Sequence, residues 1–439
     1  MSGFLDPESF RDGFLDFMTM KRNTFIVLLI FLIFSVISFL TNIIGPLVPD
    51  IKTSFNLGFA LAGFLPFSFF VAYGVMSIPA GVLIEKFSEK TVILIAFALS
   101  FIAALLFALF PTFQIALLSL FSIGIGMAML QVVINPLLRH AGGEEHFAFN
   151  SVLANFFFGA ASFLSPLLYS SLVGRIHSAD RSAIITLFNT LVTPELKWVS
   201  LYWVFAVTSL AMIVLIAWIR FPKVDLKADE KIETGGVLKD LIGHRTVLLY
   251  FIGIFCYVGT EQGVANWTSE FLRLYHGVDP ATTGATIISY FWGAITVGCF
   301  LGLLLLKLFD SRMLLSVFAA GAIVSLGLAL VGPAHVALIA FPATGFFLSI
   351  MWSVVFSLGM NSLPSHHGTF SGILCTGIVG GAVVPLVIGS LADAIGLQYA
   401  MLVMFITLGY VFSIGIWARP LVNNARVKSL SELFAKPAP

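Results

Sequence analysis

The sequence predicts an all-α membrane protein whose twelve transmembrane helices form two six-helix halves. Of its 439 residues, 59% are hydrophobic and only 10% are charged, whereas an ordinary soluble domain is about one-quarter charged. The chain divides into twelve apolar stretches, each near the ~20 residues that a membrane-spanning helix needs. One strongly polar segment, 222–245, separates six of these stretches from the other six.

Each predicted span is bounded by charged or turn-forming residues. The spans of the first half are 24–48, 58–84, 91–110, 113–138, 149–174 and 200–221. Those of the second half are 246–274, 281–309, 312–331, 334–360, 368–392 and 397–418. The predicted organisation is therefore an extension at 1–23, a first half at 24–221, a linker at 222–245, a second half at 246–418 and a tail at 419–439.

The distribution of basic residues predicts the orientation in the membrane. With twelve spans both termini lie on one side, and that side holds all but five of the 23 Lys and Arg residues. Because cytoplasmic segments carry the excess of basic residues, we expect cytoplasmic termini and a cytoplasmic linker in a plasma (inner) membrane. The acidic first twenty residues lack the basic and apolar pattern of a signal peptide, which favours a cytoplasmic extension.

Composition and motif content argue against several classes of function. The 23 Lys and Arg residues nearly balance 22 Asp and Glu residues, so the chain has no electrostatic footprint for nucleic acid. Cys256, Cys299 and Cys375 are isolated in apolar stretches, which indicates neither a disulfide framework nor a metal site. Without a GxSxG, HExxH or Walker sequence, the chain is predicted to be no enzyme.

A short motif follows the second predicted span. A layout of six plus six spans is typical of transporters whose halves rock about a site at mid-membrane. Residues 81–90 read GVLIEKFSEK, which resembles the Gly-x-Leu-x-Asp-Arg-x-Gly-x-Arg loop of the major facilitator superfamily. The resemblance implies a gating loop built from Gly81, Glu85, Lys86 and Lys90.

Four longer motifs resemble one family within that superfamily, the fucose/galactose/glucose symporters. They are MAMLQVVINP at 127–136, YVGTEQGVANW at 257–267, IMWSVVFSLG at 350–359 and GIVGGAVVP at 377–385. The resemblance extends from about residue 24 to 418. It implies the major facilitator fold and import of a hexose or related monosaccharide by alternating access. It also implies a monomer in the lipid bilayer, with no cofactor beyond a coupling cation.

One ionisable residue stands out inside the predicted spans. Glu261 lies within the seventh span, close to Tyr257, Thr260 and Gln262. Since charged groups are costly in the bilayer interior, such a residue is a functional hypothesis by default. Its carboxylate could accept hydrogen bonds from a sugar, hold sodium or take a proton, so it is predicted to serve both substrate binding and coupling.

Amide and tryptophan side chains supply the remaining candidates for sugar binding. Amides both donate and accept hydrogen bonds, which suits a polyhydroxylated ligand, although they also join membrane helices to one another. Trp292 is interpreted as core. The predicted sugar contacts besides Glu261 are Asn42, Gln131, Asn135, Asn155, Gln262, Asn266, Trp267, Trp352 and Asn361.

The coupling ion is predicted from departures within the family. In the fucose/proton branch, by resemblance, carboxylates stand in the first and fourth spans where this chain has Gly45 and Gln131. Glu261 instead fits the glucose/galactose-like pattern. Sodium is therefore the first choice, because hard cations prefer oxygen ligands; a proton titrating Glu261 is second, and uncoupled transport is third.

Two other functions remain open at this point. One is an exporter of small amphipathic compounds on the same fold, which an apolar cavity would favour. The other is a membrane sugar sensor without transport, in which ligand binding changes the linker at 222–245. The sequence does not name the sugar, because hydroxyl stereochemistry is read by the placement of interchangeable amides.

Overall fold

The structure is a computed structural model that describes residues 22–142, 147–178, 182–219 and 236–421. Within this part of the chain, twelve helical stretches are long and apolar enough to cross a membrane, so the predicted all-α fold with twelve spans is confirmed. Most of the predicted extension at 1–23, linker at 222–245 and tail at 419–439 lies outside the described residues. The last residues of the linker form a short helix, Gly236–Gly243.

The spans are numbered here in chain order. In the first half, span 1 comprises Arg22–Thr41 and Ile44–Ser54, and spans 2 to 6 are Phe59–Lys86, Glu89–Leu109, Phe113–Gly142, Phe147–Arg175 and Ser200–Trp218. Between spans 5 and 6 lie a short helix, Ala183–Leu191, and a 3-10 helix, Pro194–Val199. Span 1 is longer than predicted because the helix continues through Pro49.

The second half has the same number of spans. Spans 7 to 9 are Arg245–His276, Ala285–Leu308 and Ser311–Val331, and a π-helical turn, Pro280–Gly284, precedes span 8. Span 10 comprises Ala334–Leu348 and Met351–Met360, span 11 comprises His367–Thr376 and Gly380–Ile395, and span 12 comprises Leu397–Ala400 and Val403–Trp417.

The outer faces of the helices are apolar. Ile102, Ile339 and Ile406 are 61%, 71% and 75% exposed, respectively. Exposure of large apolar side chains on this scale is costly in water, so these faces suit contact with lipid. The polar positions discussed below lie instead between the helices.

Span 12 is interrupted after Ala400, close to its start, and three other spans are interrupted farther from their ends. Span 1 is broken after Thr41, span 10 after Leu348, and span 11 at the 3-10 turn Gly377–Val379. Irregular backbone at membrane depth is tolerated only where protein buries it or where it lines a cavity. The three interruptions therefore mark where a cavity is expected.

The two halves are held together at one end of the bundle. We call the end at which span 1 begins and span 12 finishes the terminal end, and the opposite end the distal end. At the distal end Glu270 of span 7 is fully buried and accepts from Lys52 Nζ of span 1 at 2.9 Å and from Arg273 at 2.7 Å. Asp393 of span 11 accepts from the first backbone N–H groups of span 2, Phe59 and Ala60, each at 2.8 Å.

A glycine allows spans 1 and 7 to touch just inside this closure. A Cβ atom at Gly45 would overlap the carbonyl oxygen of Ala265. Because a backbone carbonyl in the middle of a helix cannot move aside cheaply, this approach requires glycine. The contact closes the bundle between its centre and its distal end.

Candidate functional site

A cavity of about 170 Å³ lies between the halves at the level of the three helix interruptions. Asn42, Ser349 and Ile378, one from each interruption, are in its wall. Side chains of spans 1, 2, 4, 5, 7, 8, 10 and 11 enclose it. A cavity walled by both halves is positioned to change its access when the halves move.

Glu261 is the one carboxylate in the cavity wall among the residues that the structure describes. The hydroxyl of Tyr257, one helical turn earlier, donates to Glu261 Oε1 at 2.5 Å. The Tyr257 ring also lies beside the ring of Trp352, with the centroids 6.3 Å apart. The carboxylate is thus held in place by span 7 next to an aromatic side chain of span 10.

Asn42 lines the same cavity as Glu261 from the first half and is part of a small polar cluster. Its Nδ2 donates to Ser162 Oγ at 2.8 Å, and Ser162 Oγ lies 2.5 Å from Ser38 Oγ. Within the described part of the chain no donor reaches Asn42 Oδ1, which leaves an acceptor for a ligand. The cluster fixes the amide orientation, because Nδ2 is committed to the serines.

The predicted contacts divide into two groups. Those in the cavity wall are Asn42, Gln131, Asn155, Glu261, Gln262 and Trp352. Asn266, Trp267 and Asn361 lie outside it: Asn266 donates to the Gln262 carbonyl at 2.7 Å, and Trp267 Nε1 donates to the Pro385 carbonyl at 3.1 Å. The side chains of Asn135 and Glu85 are outside what the structure describes.

Asn361 sits at the terminal end of span 10, where its carbonyl oxygen accepts from the Leu421 N–H at 2.7 Å. Trp267 is 1% exposed and packs against Phe59, with the ring centroids 5.9 Å apart. The Trp267 contact joins spans 7 and 2, so Trp267 has a packing role in this arrangement of the halves. The side-chain amide of Asn361 donates to Ser357 Oγ of its own span at 3.5 Å.

Sequence reasoning did not select several polar residues of the cavity wall. Trp292, interpreted as core from the sequence, lines the cavity, and its indole N–H has no hydrogen-bond partner in the described part of the protein. Ser349 Oγ is likewise buried and unpaired there. The helix break at Ser349 has no proline or glycine beside it in the sequence, so no local signal indicates it.

The loop after span 2 makes its described contacts within the first half. Lys90 Nζ donates to the carbonyl oxygens of Ala217 and Ile219 at 2.7 and 2.8 Å, at the end of span 6. A lysine at a helix C-terminus satisfies free carbonyl groups. Lys86 is exposed. A gating role for Gly81, Glu85, Lys86 and Lys90 stays a prediction.

Twelve spans that enclose a cavity between two halves, with a carboxylate and four amides in a largely apolar wall, define a class, the multi-pass membrane transport proteins. The family model described as Major Facilitator Superfamily matches residues 30–378. The chain belongs to the major facilitator superfamily. The relatives reported below are named as transporters, and the protein is a transporter rather than an enzyme.

Two relatives and one solved structure show how far the similarity extends. The chain is 30% identical to the "Glucose/galactose transporter" of Brucella abortus, over 90% of this chain and 94% of the relative. It is 27% identical to the "L-fucose-proton symporter" of Escherichia coli, over 81% and 84%, respectively. The crystal structure of the transporter FucP in the outward conformation has a TM-score of 0.66 at 23% identity, over 90% of this chain and 98% of that chain.

Proposed function

We propose that the protein imports a hexose or related monosaccharide by alternating access, coupled to a cation. The observation that carries this proposal is the convergence of one carboxylate and four amides, Glu261, Asn42, Gln131, Asn155 and Gln262, on one cavity between the halves. Amides can donate and accept at once, which matches sugar hydroxyl groups. The name of the Brucella relative, a glucose/galactose transporter, supports the same class of substrate.

The aromatic wall supplies the apolar part of sugar binding. Trp352 lies near Tyr257 and Phe356, with ring centroids 6.3 and 5.9 Å away, respectively. A large rigid ring adds contact area at little entropic cost. We expect one face of the sugar ring to pack on Trp352 while its hydroxyl groups bond to Glu261 and the amides.

Alternating access follows from the closure at the distal end. The Glu270 ion pairs and the Asp393 helix cap join the halves there, so the cavity would exchange its contents through the terminal end. The basic residues favour a cytoplasmic terminal end. In this proposal the structure represents an inward-facing carrier in the inner membrane, working as a monomer.

Coupling is assigned to Glu261. A sodium ion would be held by the Glu261 carboxylate and neighbouring oxygen atoms, since hard cations select oxygen ligands; the Tyr257 hydroxyl is the nearest one. A proton on Glu261 is the second choice. Both the sodium scheme and the proton scheme need the charge of Glu261 to be exposed to only one side of the membrane at a time. A cavity between two rocking halves meets this requirement.

Uptake into proteoliposomes tests the proposed function. Purified protein would be given labelled hexoses and amino sugars with no gradient, with an inward sodium gradient and with an inward proton gradient. We expect one sugar to accumulate under the sodium gradient. Accumulation under the proton gradient alone would select the second coupling scheme, and no movement of any sugar would contradict the proposed substrate class.

Replacing Asn42 with alanine tests the first half of the site. We expect the KM for sugar to rise about tenfold, because a hydrogen bond worth roughly 1 kcal/mol is lost and the bonds of the serine cluster are disturbed. Asn361→Ala is the matched control, since this amide lies outside the cavity wall. Equal effects of the two substitutions on KM would argue against a sugar contact at Asn42.

A further inference from the structure

A second cavity lies at the terminal end of the second half, away from the central site. It has a volume of about 470 Å³. Its wall is built where span 7 begins and spans 10 and 12 end. The lining residues are Arg245, Thr246, Leu249, Tyr250, Ser362, Trp417 and Arg419.

Two guanidinium groups in this wall have no anionic partner among the residues that the structure describes. Neither Arg245 nor Arg419 makes an ion pair with any carboxylate in the part of the chain that the structure describes, and both are exposed. The neighbouring Arg312 differs, because it pairs with Asp310 at 3.2 Å and donates to the Ala418 carbonyl at 3.3 Å. The cavity therefore holds two positive charges that no carboxylate of the described residues neutralises.

The backbone adds to this positive character. Arg245 is the first residue of the span 7 helix, and the side chain of the preceding His244 does not cap the helix. The first N–H groups of a helix lack acceptors within it and carry its positive dipole end. The hydroxyl of Thr246, in the same wall, is a further donor.

The inner wall of the cavity is aromatic. Tyr250 is 1% exposed, and its ring centroid lies 5.3 Å from that of Trp417. The Tyr250 and Ser362 hydroxyl groups are 3.1 Å apart, and Trp417 Nε1 donates to Ser413 Oγ at 3.2 Å. The polar atoms of this wall are thus satisfied, which fixes the rings as a rigid apolar surface behind the two arginines.

We propose that this cavity binds a phosphate group, either the headgroup of an anionic lipid or a soluble phosphate. Planar guanidinium groups match phosphate oxygens with paired hydrogen bonds, and a helix N-terminus favours the same anion. The arginines stand at the ends of two membrane spans, where the phosphate layer of a bilayer lies. The ligand braces the start of span 7, the helix that carries Glu261 into the central cavity.

Binding would be measured on the purified full-length chain with two probes. One is inorganic phosphate, titrated against the thermal unfolding of the delipidated protein. The other is reconstitution in vesicles of phosphatidylglycerol and phosphatidylcholine, followed by counting the lipid that the protein retains. Retention of phosphatidylglycerol over phosphatidylcholine identifies a lipid headgroup, whereas stabilisation by phosphate without that preference identifies a soluble ligand.

Three variants decide between the site and a general surface effect. Arg245→Gln and Arg419→Gln are each expected to weaken binding about fivefold, the factor given by about 1 kcal/mol per basic residue near a membrane surface. Lys307→Gln, which removes an exposed charge at the same end in span 8, is expected to change nothing. Arg245→Lys keeps the positive charge but lacks the planar guanidinium group. It replaces Arg245→Gln if that variant does not fold.

The proposal is overturned by either of two results. One is that the wild-type chain shows no preference for phosphatidylglycerol and no stabilisation by phosphate. The other is that Lys307→Gln weakens binding as much as the arginine variants do. A cooperative thermal unfolding transition of each variant confirms that it is folded, and because neither probe involves sugar, this test stays separate from that of the proposed transport.

Discussion

Glutamine in place of Glu261 is expected to abolish gradient-driven accumulation of sugar while exchange of sugar across the membrane remains measurable. Glutamine keeps the shape and can still accept the Tyr257 hydrogen bond, but it carries no charge that a cation could balance. Losing a hydrogen bond to a charged group costs about 1.5–3 kcal/mol, so sugar affinity should fall roughly 10- to 150-fold.

The measurement compares accumulation under a sodium gradient with exchange at saturating sugar. Glu195→Gln is the matched control, because this carboxylate is exposed in the connection between spans 5 and 6. Accumulation by the Glu261→Gln variant at the wild-type level would place coupling elsewhere. If the variant loses both accumulation and exchange at saturating sugar, Glu261 is needed for sugar binding or for folding. That result would give no evidence that Glu261 couples transport to a cation.

Removing the negative charge of Glu270 is expected to open the distal end. Glu270→Gln leaves Lys52 and Arg273 without their buried partner. Breaking a buried ion pair on one side costs about 3–5 kcal/mol, which corresponds to a shift of roughly 150- to 5,000-fold in an equilibrium. Because Lys52 and Arg273 keep part of their surface in solvent, we expect a shift at the lower end of this range. The conformation described here, which is closed at the distal end, should therefore lose most of its stability relative to a conformation that opens the cavity at that end.

The chain carries its own reporter for this shift. Cys299 lines the central cavity, and Cys256 and Cys375 can be replaced by serine to leave it as the single thiol. A membrane-impermeant thiol reagent on the distal side should label Cys299 about a hundredfold faster in Glu270→Gln. Asp310→Asn, which breaks an ion pair within the second half, is the control; an unchanged rate in Glu270→Gln would contradict a gating role for the ion pairs.

The spans and the central carboxylate could be predicted from sequence for the same physical reason. Lipid tolerates few polar groups, so long apolar runs and a single carboxylate within one of them are strong signals. Glu261 lies in the cavity wall as the sequence suggested. Amides gave a weaker signal, because they occur both in cavities and between packed helices.

The depth of the cavity could not be predicted. Helical spacing places Gln262 and Asn266 on one face of span 7, and the sequence predicts both as sugar contacts. The structure separates them because Gly45 of span 1 packs on Ala265, which leaves Gln262 in the wall and Asn266 buried beyond it. Which residue closes a cavity depends on the approach of a helix more than 200 positions away in the chain.

Gly45 also limits how this carrier could be re-engineered. A carboxylate introduced at this position, in imitation of the fucose/proton branch, would bring its Cβ into the Ala265 carbonyl oxygen. Such a graft would alter coupling and helix packing at once, and the two effects could not be separated by activity alone. An engineer who wants a second acidic group should place it at Gln131, whose side chain already borders open space.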